Sequence, residues 1–254
     1  MHKLASLRFT GIFLLLCSEL FAANDTISIT SNDGVIVVAD TYIINLDANT
    51  PIILLFHQAG WSRGEYIEIA PKLNALGFNA IAVDLRSGNK INSVVNQTAK
   101  SARKEKLQTR YIDALPDIIS TLEFITSKFP ENKIIAWGSS YSAALVLHVA
   151  GESDDLIDGV LAFAPGEYFS KQGKSATWIK DSASKIKIPV FITSARNEKS
   201  NWSAIFDAIS TQDKSAFIPD TKGNHGSRAL WEEFDDHEVY WNAVTEFLEQ
   251  HFLN

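Results

Sequence analysis

The chain has 254 residues, of which 46% are hydrophobic and 21% charged, and it carries a formal net charge of −7. These proportions are those of one ordinary globular domain, and they exclude a disordered or low-complexity chain. The acidic balance also argues against a nucleic-acid partner, because such partners are bound mainly through cationic contacts to phosphate.

The first 23 residues differ in composition from the rest. Lys3 and Arg8 lead into a short apolar run at 9–17, and alanines close the segment at 22–23. This order is typical of a secretory signal peptide, and the run is shorter than the roughly 20 residues that span a bilayer. The sequence therefore predicts a signal peptide at 1–23, a secreted or periplasmic protein, and no stable membrane insertion after cleavage. An uncleaved membrane anchor is the alternative.

Residues 24–254 are expected to form one domain without thiol chemistry. Cys17, the only cysteine, lies in the predicted signal peptide. The mature chain then has neither a disulfide nor a cysteine nucleophile. No pair of histidines has metal-ligand spacing, so the sequence predicts no metal and no cofactor.

From Thr26 onward the chain alternates strand-like and helix-like segments. An antiparallel hairpin turned by "SNDG" comes first, and short apolar runs of the kind buried on both faces of a parallel sheet follow. Segments with apolar residues at helical spacing separate these runs. Together they predict a three-layer α/β/α sandwich with a mostly parallel sheet. The predicted strands are 26–30, 34–44, 51–56, 78–84, 133–137, 158–164, 188–195 and 214–219, the predicted helices are 64–77, 108–129, 141–151, 201–210 and 237–252, and the polar segment 86–106 is predicted to be a surface loop.

The stretch "GSSYS" at 138–142 joins one of these strands to the next helix, where ligands of open parallel sheets collect. The pattern is G-x-S-x-S with Ser140 at its centre, and it differs from the nucleophile-elbow pattern G-x-S-x-G only at the last position. Small neighbours allow a strained turn that raises the central hydroxyl above the sheet. By itself the pattern fits equally well a turn that uses Gly and Ser for capping. Ser139 is expected to pack, and Ser142 to bond backbone groups.

Candidate partners for Ser140 follow later strands. A serine nucleophile needs a base, which is itself oriented by an acid. Glu198 comes three residues after the predicted strand 188–195, and His225 lies in a Gly-flanked loop after 214–219. The order Ser140, Glu198, His225 is the nucleophile–acid–histidine order of one large fold.

With these residues the chain resembles the α/β-hydrolase family, and within it the small dienelactone-hydrolase-like members. The resemblance covers almost the whole mature chain and implies the α/β-hydrolase fold, with little or no cap domain. It rests on "LLFHQAGWSRGEY" (54–66), "AVDLRSG" (82–88), "GSSYS" (138–142), "APGEYF" (164–169), "TSARNE" (193–198) and "GNHG" (223–226).

The resemblance implies a role for each candidate in the triad. Ser140 would be the nucleophile, His225 the base and Glu198 the acid. Glu167, just after the preceding strand, is the alternative acid, because some members of the family draw the acid from that position. Dienelactone hydrolases proper use a cysteine nucleophile, so their substrate is not carried over to this chain.

The oxyanion hole is expected from two backbone N–H groups, those of Ala59 in the "HQAG" loop and of Tyr141 after the nucleophile. His57, in the same loop, is expected to brace the loop and not to transfer protons. These assignments predict an anion cradle above the carboxyl end of the sheet.

Four residues are candidates for substrate binding. Trp61, Tyr168 and Trp202 fall in or beside loops predicted at the catalytic edge, where they would line an apolar acyl or aromatic pocket; they fit equally well as packing between loops. Arg63 is a candidate partner for a substrate carboxylate, or a solvated residue at a helix start. Between 164 and 188 there is room for only a small lid, which favours an open cleft.

The sequence therefore predicts a serine hydrolase that cleaves carboxylic esters of small or aromatic acyl groups, or lactones, through an acyl-enzyme. A peptidase or amidase with the same triad is one alternative. A non-catalytic binding protein with a hydrolase fold is the other. The expected partner is a small-molecule ester, and the oligomeric state is left open.

Overall fold

The computed structural model describes residues 25–153 and 155–253, so the predicted signal peptide lies outside the described residues. An eight-stranded sheet forms the centre of the molecule, in the order β1-β2-β4-β3-β7-β8-β9-β10. β1 and β2 form the predicted antiparallel hairpin, β2 is also antiparallel to β4, and every other pair in this sheet is parallel. The strands are β1 (Thr26–Thr30), β2 (Ile36–Tyr42), β3 (Ile52–Phe56), β4 (Asn79–Val83), β7 (Ile134–Ser139), β8 (Gly159–Phe163), β9 (Val190–Thr193) and β10 (Lys214–Phe217), with β5 (Lys90–Ile91) and β6 (Val94–Val95) in a separate hairpin.

Helices cover both faces of the sheet and complete the α/β/α sandwich. In β3, "IILLF", the side chains alternate between the two faces of the sheet. Ile52, Leu54 and Phe56 face one hydrophobic core, while Ile53 and Leu55 face the other. Every residue of this strand is buried, as a continuous apolar run predicts. The α-helices are α1 (Ile69–Ala75), α2 (Gln97–Lys104), α3 (Leu115–Lys128), α4 (Tyr141–Glu152), α5 (Trp178–Ala183), α6 (Lys199–Ala208) and α7 (His237–Phe252).

Three stretches differ from the sequence-based prediction. The helix predicted at 64–77 is divided, because a 3-10 turn at 63–66 precedes α1. The segment 86–106 is not a plain surface loop: it forms β5, β6 and α2, and the Thr98 hydroxyl of α2 accepts the Val38 N–H of β2 at 2.9 Å. The helix predicted at 108–129 begins only at Leu115 in α form.

The segment between β8 and β9 contains a short 3-10 turn and α5. α5 packs against α4 so closely that a Cβ on Gly151 would lie 2.0 Å from the Ser182 carbonyl oxygen. This helix therefore extends the helical layer and is not a cap domain. Among the described residues, no helix is both long and apolar enough to cross a membrane.

Six parallel strands end at one edge of the sheet and define where a site can form. Their final residues are Phe56, Val83, Ser139, Phe163, Thr193 and Phe217. The loops that follow these residues contain all the candidate catalytic residues. Parallel strands thus bring together segments that are far apart in the chain.

Candidate active site

Ser140 lies between β7 and α4 with a backbone conformation that L-residues rarely adopt. Its φ is 60° and its ψ is −118°. The Ser140 N–H donates to the Phe163 carbonyl oxygen of β8 at 2.7 Å, which fixes the turn against the neighbouring strand. Strain of this kind persists only when the surrounding structure holds it, and it is typical of functional positions.

The small residues around Ser140 are there for packing and hydrogen bonding. A Cβ on Gly138 would lie 2.4 Å from the Ala143 backbone nitrogen, so only glycine fits. The Ser142 hydroxyl accepts the Ser139 N–H at 2.8 Å and donates to the Phe56 carbonyl oxygen at 2.7 Å. Ser142 thus bonds backbone groups as predicted, and its hydroxyl stabilises the turn where the family pattern has glycine.

His225 contacts Glu198, and Glu167 lies elsewhere. His225 Nδ1 is 2.5 Å from Glu198 Oε1, while Glu198 Oε2 accepts the Ala195 N–H at 3.2 Å. Glu167 instead accepts the backbone N–H groups of Ile179 and Lys180, at 3.0 and 2.8 Å. It therefore caps the start of α5. Of the two candidate acids, the geometry pairs Glu198 with the histidine.

The loop that carries His225 packs directly beneath the serine turn. The Ser227 N–H donates to the Ser139 hydroxyl oxygen at 2.9 Å. Gly226, with φ of 71°, approaches so closely that a Cβ there would lie 2.5 Å from the same oxygen. Ser139, which precedes Ser140, is thus in contact with Gly226 and Ser227, which follow His225.

The two N–H groups expected in the oxyanion hole are unengaged. Within the part of the chain that the structure describes, neither the Ala59 nor the Tyr141 N–H donates to another group. The Gly60 N–H, in contrast, donates to the Ser87 carbonyl oxygen at 3.2 Å. Both N–H groups are therefore available as donors to a substrate oxygen.

His57 braces the loop before these donors, as predicted. Its Nε2 accepts the Leu85 N–H at 2.8 Å, so its proton is on Nδ1, which donates to the Gln58 carbonyl oxygen at 2.7 Å. The ring is fully buried, and burial lowers the pKa of His57 below its ordinary value. It is therefore held in one neutral tautomer by backbone groups.

Glu65 is a buried carboxyl group at the site that sequence reasoning missed. Its Oε1 accepts the Ser139 hydroxyl at 2.7 Å, and its Oε2 accepts the Gln58 N–H at 2.8 Å. Burial raises the pKa of Glu65 to about 7. In the sequence Glu65 falls within a predicted helix and carries no signal of these contacts, which join segments distant in the chain.

The predicted substrate-binding aromatics have three different surroundings. Tyr168 lies beside Ser140; its hydroxyl donates to the Ala164 carbonyl oxygen at 2.7 Å, and burial raises the pKa of Tyr168 to about 12. Trp61 stacks on Trp231 with ring centroids 5.3 Å apart. Trp202 is only 2% exposed, so its predicted binding role is wrong: it packs in the core, and its Nε1–H donates to the Ser194 hydroxyl.

Arg63 is also placed differently from the prediction. Its guanidinium pairs with Asp40 at 2.7 Å and with Asp84 at 2.8 Å. The Asp84 carboxylate accepts the Arg63 backbone N–H as well. Because both carboxylates already neutralise and bind this cation, Arg63 joins β2 to β4 and does not face a substrate.

Tyr111 is a second residue at the site that the sequence did not indicate. Its ring stacks on Tyr141, with centroids 4.8 Å apart, and Tyr141 directly follows the serine. Tyr111 is 37% exposed, so one part of its ring remains open to solvent beside the turn. With Tyr168 it gives the surroundings of Ser140 an aromatic character.

Comparison with known proteins agrees with this fold. A family model described as "Serine aminopeptidase, S33" (Hydrolase_4) matches residues 47–236, well over half of the chain. The chain belongs to this family. This S33-family chain is a serine hydrolase of the α/β-hydrolase fold, a fold that it shares with a dienelactone hydrolase and an esterase. Comparison of its sequence with curated proteins gives no match.

Solved structures similar to this S33-family chain share its fold at low sequence identity. Esterase Pf2001 of Pyrococcus furiosus has 18% identity and a TM-score of 0.68, with 90% of this chain and 93% of that chain covered. A dienelactone hydrolase from Anabaena variabilis has 14% identity and a TM-score of 0.69, with coverage of 90% and 98%. Est1E from Butyrivibrio proteoclasticus, in a structure with ferulic acid, has 15% identity and a TM-score of 0.65, with coverage of 90% and 100%.

Proposed function

We propose that the chain is a carboxylesterase that works through a Ser140–His225–Glu198 triad. One observation carries this proposal: a serine in a strained strand-to-helix turn lies above the loop of a histidine whose Nδ1 is 2.5 Å from a carboxylate. That contact gives Nδ1 the proton, so Nε2 keeps the lone pair that a general base needs.

In the proposed reaction, Ser140 Oγ attacks the ester carbonyl carbon as His225 Nε2 takes the hydroxyl proton. The N–H groups of Ala59 and Tyr141 bind the oxyanion. Collapse of the tetrahedral intermediate breaks the ester bond, and His225 returns the proton to the departing alcohol. Water then attacks the acyl-enzyme by the same route, which releases the acid and restores Ser140.

Substrates with small or aromatic acyl groups fit this proposal. Tyr168 and Tyr111 would present ring surface next to the reacting carbonyl. The similar structures named as esterases support ester chemistry only through their shared fold. A secreted or periplasmic location is also proposed, on the composition of residues 1–23.

Amide or peptide hydrolysis is the second candidate, because the family is described as a serine aminopeptidase. An aminopeptidase binds a free substrate ammonium, for which a free carboxylate is the natural partner. Glu65 and Glu198, the carboxyl groups that contact the serine turn or His225, already accept hydrogen bonds within the chain. Because these carboxyl groups are already hydrogen-bonded within the chain, the ester proposal is favoured.

A matched substrate series separates the two candidates. p-Nitrophenyl esters of acetate, butyrate and benzoate are compared with aminoacyl p-nitroanilides, and a fluorophosphonate probe is mapped by peptide mass spectrometry. The proposal expects turnover of the esters, no detectable turnover of the anilides, and the probe on Ser140. Preferential cleavage of anilides would establish the peptidase instead, and an unlabelled, inactive protein would leave only a binding function.

A further inference from the structure

The fully buried Glu65 carboxyl has no part in the reaction outlined above. It lies in the 3-10 turn at 63–66 and accepts one hydrogen bond on each oxygen, from the Ser139 hydroxyl and from the Gln58 N–H. Each donor is the chain neighbour of a proposed functional group: Ser139 precedes the nucleophile, and Gln58 precedes Ala59. One carboxyl group therefore joins the oxyanion loop to the serine turn.

A third segment is attached to the same group through Ser139. The Ser139 oxygen that donates to Glu65 also accepts the Ser227 N–H at 2.9 Å. In addition, the Trp231 indole N–H donates to the Glu65 carbonyl oxygen at 2.9 Å. The segment 225–231 begins with the histidine. The Ser139 hydroxyl holds it near its start, at Ser227, and the Glu65 carbonyl oxygen holds it at its end, at Trp231.

We propose that Glu65 is a positioning residue whose ionised carboxylate holds the oxyanion loop, the serine turn and the histidine loop in their reactive arrangement. The inference rests on the proposed function, since it assigns to Glu65 a part in the reaction of Ser140. Glu65 does not touch the substrate. It acts through Gln58, Ser139 and the His225 loop.

The charge of Glu65 has few neighbours to balance it. Burial raises its pKa, while the hydrogen bonds from Ser139 and Gln58 and the attraction of His225 lower it in part, which leaves it at about 7. The other titratable groups that face it are Tyr66 on its own turn and Tyr141 on α4; burial raises the pKa of both hydroxyls, and the Glu65 charge adds to this rise. His225 is therefore the group whose positive charge an ionised Glu65 stabilises.

Protonation of Glu65 changes the arrangement. An ionised carboxylate accepts from both donors, whereas the protonated acid has one oxygen that must itself donate. A glutamine at this position has the same shape and likewise one accepting and one donating end. Glu65→Gln thus resembles the protonated acid at every pH, and it keeps the volume of the buried side chain.

The test measures the second-order rate of fluorophosphonate reaction at Ser140 between about pH 5 and pH 9. In the wild type, protonation of Glu65 should displace the reacting groups and slow the reaction, whereas E65Q has no carboxyl group to titrate at this position. We expect E65Q to react about tenfold or more slowly than the wild type at pH 8, because small displacements of reacting groups are costly, and the ratio of the two rates to approach one as the pH falls below the pKa of Glu65, about 7. Glu68→Gln, an exposed neighbour with the same charge change, is the control and should match the wild type.

Thermal unfolding at the assay pH shows whether each variant is folded. If E65Q does not fold, Ser139→Ala takes its place, because it cuts the link between Glu65 and the Ser227 N–H; slower phosphonylation by this variant supports the inference. A folded E65Q that reacts as fast as the wild type at pH 8, or a rate ratio that does not change with pH, would overturn the role of Glu65 while Ser140 remains labelled. A wild type that is not labelled at Ser140 would overturn the proposed function itself, and the role of Glu65 with it.

Discussion

Glu198→Gln is expected to lower kcat for ester hydrolysis by about 10³- to 10⁴-fold. The glutamine keeps the size of the side chain, but its amide donates where the carboxylate accepted from His225 Nδ1. The imidazole then favours the tautomer with its proton on Nε2, which cannot take a proton from Ser140. The positive charge that forms on the ring also loses its partner. The measurement is steady-state hydrolysis of a p-nitrophenyl ester near neutral pH.

Glu167→Gln is the matched control for this prediction. Its carboxylate caps α5 through the Ile179 and Lys180 N–H groups, so the variant should keep kcat within about twofold and lose about 1 kcal/mol of unfolding free energy. A drop in kcat for Glu167→Gln, with Glu198→Gln active, would transfer the role of the acid to Glu167.

Arg86→Met should lower the free energy of unfolding by about 3–5 kcal/mol, the cost of leaving a buried charge unpaired. Arg86 bonds Asp117 and Asp33 at once, with nearest distances of 2.6 and 2.5 Å. These contacts join the end of β4 to α3 and to the turn between β1 and β2. Urea unfolding at neutral pH, with kcat measured in parallel, tests this effect.

The pH dependence of the Arg86→Met defect has a definite sign. Asp117 is fully buried, and without the arginine its pKa in the folded state rises further above the unfolded value. The variant therefore loses little stability below the unfolded pKa of about 4, and more as the pH rises toward the folded pKa. Arg110→Met removes an arginine from an exposed i,i+3 pair with Asp113 and should leave the unfolding midpoint unchanged. Equal defects in the two variants would contradict the account.

The sequence could predict the central sheet because most of its strands are short apolar runs. Apolar runs such as 51–56 and 158–164 are typical of strands buried on both faces, and β3 and β8, which they contain, are buried at every residue. α7 also has the predicted bounds, 237–252, since its apolar residues recur at helical spacing. The polar segment 86–106 gave no such signal, because α2 has a low apolar content and is held to β2 by hydroxyl contacts.

The sequence could predict only those site residues that follow the end of a strand. Ser140 and His225 have this position. Glu198 and Glu167 both have it too, and what separates them is α5, a helix the sequence did not predict, whose start Glu167 caps. Glu65 could not be found in this way, since its role depends on contacts with residues 74 positions away in the chain.

Intact-mass spectrometry of the ester reaction shows whether Ser140 forms the acyl-enzyme. The wild type is mixed with a p-nitrophenyl ester, quenched in acid within the first turnovers, and compared with Ser140→Ala and with Ser127→Ala, a serine on the exposed face of α3. We expect the wild type and Ser127→Ala to gain the mass of one acyl group, located on Ser140, and Ser140→Ala to gain none. An acyl group on Ser140→Ala, or on any other residue of the active wild type, would contradict this expectation.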